Sequence, residues 1–208
     1  MRVLVACEWS GAVRDAFRRC GHDAWSCDLV PCAPDSEFAS FHIEGDVRAV
    51  IGGGWDMMIA FPECKFLSGS GLHWNKRTPG RAEKTEEALA FVRTLMSAPI
   101  RKKALENPVG CISTRIRRPD QIIQPYWFGA DASKKTCLWL EGLPPLAPTA
   151  YVRPRYADGK PRWANQTDSG QNRLGPSDDR ARLRGKTYPG VADAMAIQWG
   201  GINEHPPR

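Results

Sequence analysis

The chain has 208 residues, 42% of them hydrophobic and 25% charged. These values sit near globular averages and exclude a collagen-like, coiled-coil or wholly disordered chain, and the length suits one compact domain with at most a small attachment. The net charge of +6 is unevenly placed: residues 1–99 hold 11 Lys and Arg against 13 Asp and Glu, whereas residues 100–208 hold 18 against 10. A cationic half points to a polyanionic partner, nucleic acid first, against the alternative of a plain solvated basic surface.

No apolar run approaches the roughly 20 residues that span a bilayer, so no membrane partner is expected. The N-terminal stretch from Met1 to Glu8 is too short and too soon acidic for a secretory signal. Seven cysteines without a regular framework fit reduced thiols and a cytoplasmic location.

Arg2 to Cys7 is apolar and Val-rich and reads as a buried strand. Glu8-Trp9-Ser10-Gly11 turns the chain into a helix over Ala12–Cys20, where Val13, Ala16 and Phe17 share a face and Gly21 ends the element. His22–Asp28 reads as a second strand closing on an acid, and residues 29–42, with Pro31 and Pro34, as a loop. A short helix is expected over Val47–Ile51, a third strand over Trp55–Phe61 and a long polar loop over Pro62–Pro79. Ala82–Met96 is a helix with Ala88, Leu89, Val92, Leu95 and Met96 at helical spacing. Lys102–Glu106 is a fourth strand, ending at Asn107-Pro108.

This order implies a doubly wound, Rossmann-like α/β sheet. Beyond Pro108, prolines break any long element except a strand over Thr136–Leu140. Residues 149–186 read as an irregular basic loop or lobe. A last helix starts at Tyr188-Pro189 and runs through Val191, Ala194, Met195 and Trp199, with Pro189 suited to its first turn. The expected organisation is a core over 1–148, the basic lobe over 149–186, and a C-terminal helix and tail over 187–208 that returns to the core.

In doubly wound sheets ligands sit beyond the carboxyl ends of the strands. Glu8, Asp28, Cys64 and Glu106 fall at those ends. A loop cysteine beside Lys65 is a candidate nucleophile, with a structural thiol as the competing reading. Glu106 is a candidate proton donor if its surroundings raise its pKa, against a loop-capping carboxylate. Asp28 suits ribose hydroxyls, against a surface carboxylate, and Asp46 competes with a helix N-cap. Trp9 and Pro62 are candidate cofactor-packing residues, with core packing the alternative. Cys20, His22, Cys27 and Cys32 lack a Cys-x-x-Cys knuckle, so no metal site is expected. Ser68-Gly69-Ser70-Gly71 lacks the Gly-Lys-Ser/Thr ending of a phosphate loop and reads as a mobile segment able to close over a substrate. Trp74, Trp127 and Trp163 stand beside basic residues as base-stacking candidates, with core packing the default.

Taken together, the Pro62-Glu63-Cys64 loop followed by Glu106-Asn107-Pro108 on the next strand resembles the cytosine-carbon-5 DNA methyltransferases, in which a Pro-Pro-Cys loop carries the nucleophile and a Glu-Asn-Val strand end the acid. Val5–Ala12 through Gly21 to Asp28 resembles the family's cofactor-binding turn, helix and acidic strand end. Gly45-Asp46-Val47 resembles its Gly-Asp-Ile segment. Lys134–Leu140 stands where the family has an arginine-bearing strand, and Thr187–Ala192 looks like its closing cofactor-side helix. The resemblance covers most of 1–140 and about 186–200, and the whole chain is similar to short phage-encoded members, which for such a member implies the cytosol of a bacterial host.

The resemblance implies a sheet of the S-adenosylmethionine-dependent methyltransferase type and methyl transfer to carbon 5 of cytosine in DNA. Cys64 would be the nucleophile and Glu106 the acid. S-adenosylmethionine would be held by Glu8, Ser10, Gly11, Asp28, Asp46 and Pro62, and nucleic acid by Lys65, Ser68, Lys134, Lys135, Arg153 and Arg155. No protein partner is implied. The chain departs from the family where Glu8 and Ser10 replace the first-turn glycines, leaving Gly11, and where Glu63 replaces the loop's second proline. It departs again where Lys134 and Lys135 stand in for paired arginines, and only residues 141–186 are left for target recognition. Two alternatives follow: a catalytically weak DNA-binding protein that keeps the fold, or an enzyme that modifies a pyrimidine nucleotide.

Overall fold

In the computed structural model, which describes residues 1–177 and 179–201, the expected α/β order is present. The chain runs β1 (Arg2–Ala6), α1 (Ala12–Arg19), β2 (Asp23–Asp28), β3 (His42–Glu44), β4 (Met57–Ala60), α2 (Arg81–Met96) and β5 (Lys102–Pro108). It continues through α3 (Ile112–Arg115), β6 (Gln121–Ile123), β7 (Thr136–Glu141), β8 (Arg155–Ala157), β9 (Lys160–Arg162), α4 (Arg180–Gly185) and α5 (Pro189–Met195). Seven strands form one sheet in the order β3-β2-β1-β4-β5-β7-β6. The pairs β3–β2, β2–β1, β1–β4 and β4–β5 are parallel, and β7 is antiparallel to both β5 and β6. The order reverses between β1 and β4, so the sheet is doubly wound and Rossmann-like, with its switch point where Cys7 and Phe61 leave the strands.

Both faces of the sheet are covered, and strand alternation divides the core accordingly. Val3, Val5, Met57, Ile59, Ala104 and Leu138 face α1 and α5, packing on Phe17, Met195 and Trp199. Their chain neighbours Leu4, Ala6, Met58, Ala60, Leu105 and Trp139 face α2, packing on Leu89, Val92 and Leu95. Helix α2 begins one residue before the expected start, after Gly80 at φ 74°. Its C-terminal carbonyls are met by Lys103, whose Nζ donates to the Met96 and Ala98 carbonyls at 2.8 and 2.9 Å, so a lysine inside a buried strand complements the negative helix end.

The structure differs from expectation in several places. The helix expected over Val47–Ile51 is a single 3-10 turn, Val47–Ala49. His42–Glu44, expected to begin as loop, is the sheet-edge strand β3, and Gln121–Ile123 adds an unexpected β6. The long loop contains a 3-10 segment, Leu72–Lys76. The stretch 149–186, expected to be irregular, holds the antiparallel hairpin β8–β9 and the short α4. Helix α5 passes into a π turn over Ala196–Gly200, and the rest of the expected tail, residues 202–208, lies outside the described residues. Among the described residues, no helix is long and apolar enough to cross a membrane.

Candidate active site

Strands β4 and β5 are neighbours in register, Ala60 opposite Leu105. Glu106 therefore sits just past Ala60, at the place where the Pro62–Cys64 loop leaves β4. Asn107, the residue after Glu106, is buried and donates from Nδ2 to the Pro62 carbonyl at 2.8 Å. The Leu67 and Ser68 amides donate to the Cys64 carbonyl at 3.1 and 2.9 Å, and the loop is zipped to the segment after β5 by Gly69 N–H to Val109 O and Cys111 N–H to Leu67 O, both 2.9 Å. A bridge pairs Ser68 with Gly110. On the other side Thr85 donates to the Phe66 carbonyl at 3.1 Å and Arg81 to the Lys65 carbonyl at 3.0 Å. The 62–71 loop, whose Ser68–Gly71 segment is expected to be mobile, is thus held from both flanks.

Cys64 is an exposed residue and a free thiol. Partial desolvation of its sulfur pushes the thiol pKa up, with the Glu106 charge adding to the rise and Lys134 opposing it. Glu106 is 15% exposed at its side chain. Desolvation pushes its carboxyl up, against the pull of the Lys134 cation and a hydrogen bond from the Thr136 side chain. Lys134 Nζ lies 3.9 Å from Glu106 Oε1 and donates to the Arg184 carbonyl at 3.1 Å. A small cavity beside this group is lined by Phe61, Glu106, Lys134, Thr136, Tyr188 and Met195. The arrangement brings a thiol, a carboxyl biased toward its neutral form and one cation to the carboxyl ends of adjacent strands.

The second group lies beyond β1 and β2. Asp28, half-buried, is pushed up by desolvation. Cys7, at a left-handed φ of 59°, is pushed up to about 12 by burial and then by Asp28, Cys27 and Asp46. Asp28 and Asp46 thus both act on the partly buried Cys7 thiol. Asp46 also caps the turn at Val47 and is gripped by the Arg48 guanidinium, which holds its carboxyl down at about 2.

Several residues expected at the cofactor have other partners. Glu8 is turned inward, accepting from the Val13 amide at 2.7 Å, the Arg14 amide at 3.3 Å and the Ser10 hydroxyl at 3.3 Å. Ser10 in turn accepts from the Ala12 amide. The two departures from the glycine turn thereby cap the N-terminus of α1. Gly11 keeps a left-handed φ of 74°. Pro62 is buried, its carbonyl held by Asn107.

Of the residues expected at nucleic acid, Lys65, Lys135 and Arg153 are exposed, whereas Lys134 belongs with Glu106. Arg155 is paired to Asp168 at 2.6 Å and to the Gln166 carbonyl. The Ser68 backbone is committed to the loop lock, and its hydroxyl meets that of Ser70 at 3.4 Å. Trp163 is buried and stacked on Tyr126 at 4.1 Å, while Trp74 is 47% exposed. The imagined zinc set is dispersed: Cys32 accepts from Arg14 and His22 bonds the Gly201 carbonyl. No metal-holding group of three or more His, Cys, Asp or Glu occurs among the described residues.

Sequence reasoning missed Asn107, Cys7 and Arg182. Asn107 was legible only as part of Asn-Pro. Cys7 gave no signal, because its left-handed backbone has no signature in a cysteine. The Arg182 guanidinium lies 4.0 Å above the Trp9 ring, a contact across 173 positions that no local pattern announces.

No known family matches the chain by sequence, and no curated protein does. Among solved structures, a protein described as a DNA modification methyltransferase encoded within an E. coli prophage is similar over 67% of this chain and 46% of its own, at 15% identity and a TM-score of 0.43. The S. pombe Dnmt2 methyltransferase is similar over 70% of this chain and 51% of its own, at 13% identity and a TM-score of 0.47. The chain thus spans about half the length of these two proteins, and the likeness is one of fold.

Proposed function

We propose that the protein transfers a methyl group to carbon 5 of cytosine in DNA through a transient Cys64 adduct. One observation carries this reading: Cys64 and Glu106 stand at the ends of adjacent strands next to the switch point and interact electrostatically, with burial favouring the neutral Glu106 acid. Cytosine carbon 5 is a weak nucleophile. Bond formation between Cys64 Sγ and carbon 6, with the Glu106 proton hydrogen-bonded to ring nitrogen 3, turns the ring into an enamine whose carbon 5 attacks a methyl electrophile. Loss of the carbon-5 proton to a base and departure of the thiolate from carbon 6 restore the aromatic ring, one hard step divided into easier ones.

Glu106 in its protonated form, which burial favours, serves twice. It offers the proton, and it removes the negative charge that otherwise opposes thiolate formation at Cys64. Lys134 supplies the cation that favours the thiolate.

S-adenosylmethionine, when bound, would supply the methyl group. The donor set fits its adenosine end: Asp28 and Asp46 converge at the end of β2 and beside Cys7, where carboxylates can accept from ribose hydroxyls and an adenine amine. We further propose 1–148 as the catalytic core, 149–186 as a nucleic-acid-contacting lobe and 187–201 as the segment that closes the core.

The test uses a duplex carrying 5-fluorocytosine, from which fluorine cannot leave as a proton does. With S-adenosylmethionine present, the parent protein should form a stable protein–DNA adduct and Cys64→Ala none; equal adducts in both reject the reading. A second reading, a catalytically silent DNA-binding protein, draws on the raised Cys64 thiol and the exposed Glu63 beside it. It is favoured if duplex binding is retained while calorimetric titration with S-adenosylmethionine gives no heat.

A further inference from the structure

We propose that the turn formed by residues 72–77 is a contact for an unpaired stretch of a nucleic-acid strand, with Trp74 as a stacking platform for one base and Lys76 and Arg77 as phosphate contacts. The proposal rests on the nucleic-acid reading of the Cys64 site and names a second contact region for the same substrate.

Residues 64–82 contain Lys65, Lys76, Arg77 and Arg81 and no acidic residue. This stretch lies in the half of the chain whose net charge is negative, so the cations are gathered rather than diluted. Several basic side chains elsewhere are paired with carboxylates: Arg19 with Glu37, Arg115 with Glu86, Arg117 with Asp120 and Arg155 with Asp168. Among the described residues, the exposed Lys76 and Arg77 pair with no carboxylate.

In the same turn, Trp74 is a large aromatic side chain left 47% exposed. The His73 ring lies 4.9 Å from it and the Arg77 guanidinium 5.8 Å. A half-exposed indole with the Arg77 guanidinium over its ring and Lys76 in the same turn matches the stacking-plus-phosphate pattern by which proteins hold single strands.

The turn is not loose. The Arg77 and Thr78 amides both donate to the Trp74 carbonyl at 2.9 Å, the Trp74 amide donates to Gly71 O, and Asn75 donates to Thr85 on α2 at 2.9 Å. Arg81 then links the Gly71 carbonyl to the Lys65 carbonyl, one residue from Cys64. The backbone that carries Trp74 is therefore tied to the segment that follows the candidate nucleophile. That suits a base neighbouring the one that reacts, which must itself leave any stack it occupies.

The experiment measures binding of a labelled single-stranded deoxyoligonucleotide by fluorescence anisotropy over a salt series, in a Cys64→Ala background so that no chemistry intervenes. Trp74→Ala should weaken binding about tenfold, with Trp74→Phe restoring most of the loss and neither change moving the melting temperature. Lys76→Ala and Arg77→Ala should each flatten the dependence of log affinity on log salt by about 0.7. An abasic residue walked along the strand should abolish the Trp74→Ala effect at one position only.

Equal affinity of parent and Trp74→Ala overturns the proposal. So does a penalty that persists at every abasic position, or one as large on a fully paired duplex. If Cys64 adducts form normally while Trp74→Ala binds unchanged, only this inference fails. If the protein binds no oligonucleotide at all, both it and the function reading fail.

Discussion

Glu8 replaces glycine flexibility with a buried carboxyl, and that exchange has a measurable signature. The group is 4% exposed and accepts from two amides at the start of α1 and from Ser10. Burial outweighs those bonds and the Arg14 charge, and pushes the pKa from an ordinary 4.5 up to about 7. In the unfolded chain the carboxyl titrates near its ordinary value, so between roughly pH 4.5 and 7 the folded state binds the extra proton. Stability from this group is complete below about 4.5 and is lost as pH rises through about 7; the gap between the two values corresponds to about 3 kcal/mol.

Glu8→Gln keeps the shape and removes the titration. Urea unfolding of both proteins from pH 5 to 8.5 should show the parent losing up to about 3 kcal/mol relative to the variant as pH rises. The shifted Asp28 and Glu106 are common to both proteins and cancel in the difference. Parallel stability curves would refute the buried, neutral Glu8 and with it the account of how this chain holds its first turn.

Gly110→Ala would drive a Cβ into the Leu67 carbonyl and to 2.9 Å from Ser68 Cα. The displaced loop should slow adduct formation about 100-fold, read by gel shift on 5-fluorocytosine DNA. Asn107→Ala leaves the buried Pro62 carbonyl without its donor and should cost about 1–3 kcal/mol, seen as a lower melting temperature by circular dichroism together with slower trapping. Lys134→Ala removes the cation that opposes both raised pKa values. The limb of the rate profile that reports thiolate formation should then move to higher pH, and Lys134→Arg should restore it; a superimposable profile counts against Lys134 as a member of the site.

The core was legible because its signals are periodic and local. Val3-Leu4-Val5-Ala6 and Met57-Met58-Ile59-Ala60 are continuous apolar runs, as strands covered on both faces must be, and Leu89, Val92 and Leu95 repeat at helical spacing. The elements that escaped are those whose stability comes from partners far along the chain. Gln121–Ile123 has three residues and exists through its pairing with β7, and His42–Glu44 through its pairing with β2. The hairpin over Arg155–Arg162 is braced by contacts of Arg155 and Arg162 with Asp168. Chemistry was legible as residue type at a strand end. What each side chain touches was not: Glu8 bonds the first amides of α1, and Asp46 caps the turn at Val47 while it pairs with Arg48.

Strand direction explains how the Cys64 site is completed. Three parallel strands, β1, β4 and β5, deliver their carboxyl ends to one edge of the sheet, and with them Cys7, the Cys64 loop and Glu106. A further parallel strand beside β5 would begin at the far edge and bring its first residues nowhere near Glu106. Because β7 runs the other way, its beginning lies at the end of β5, with Thr136 opposite Pro108. That reversal places Thr136 and the preceding Lys134 against Glu106. Periodicity reports that Thr136–Leu140 is a strand and is silent about which way it runs. The sequence therefore offered Lys134 as a nucleic-acid contact, and the topology brings its ammonium to 3.9 Å from the Glu106 carboxyl, where it opposes the rise that burial causes in both the carboxyl and the Cys64 thiol.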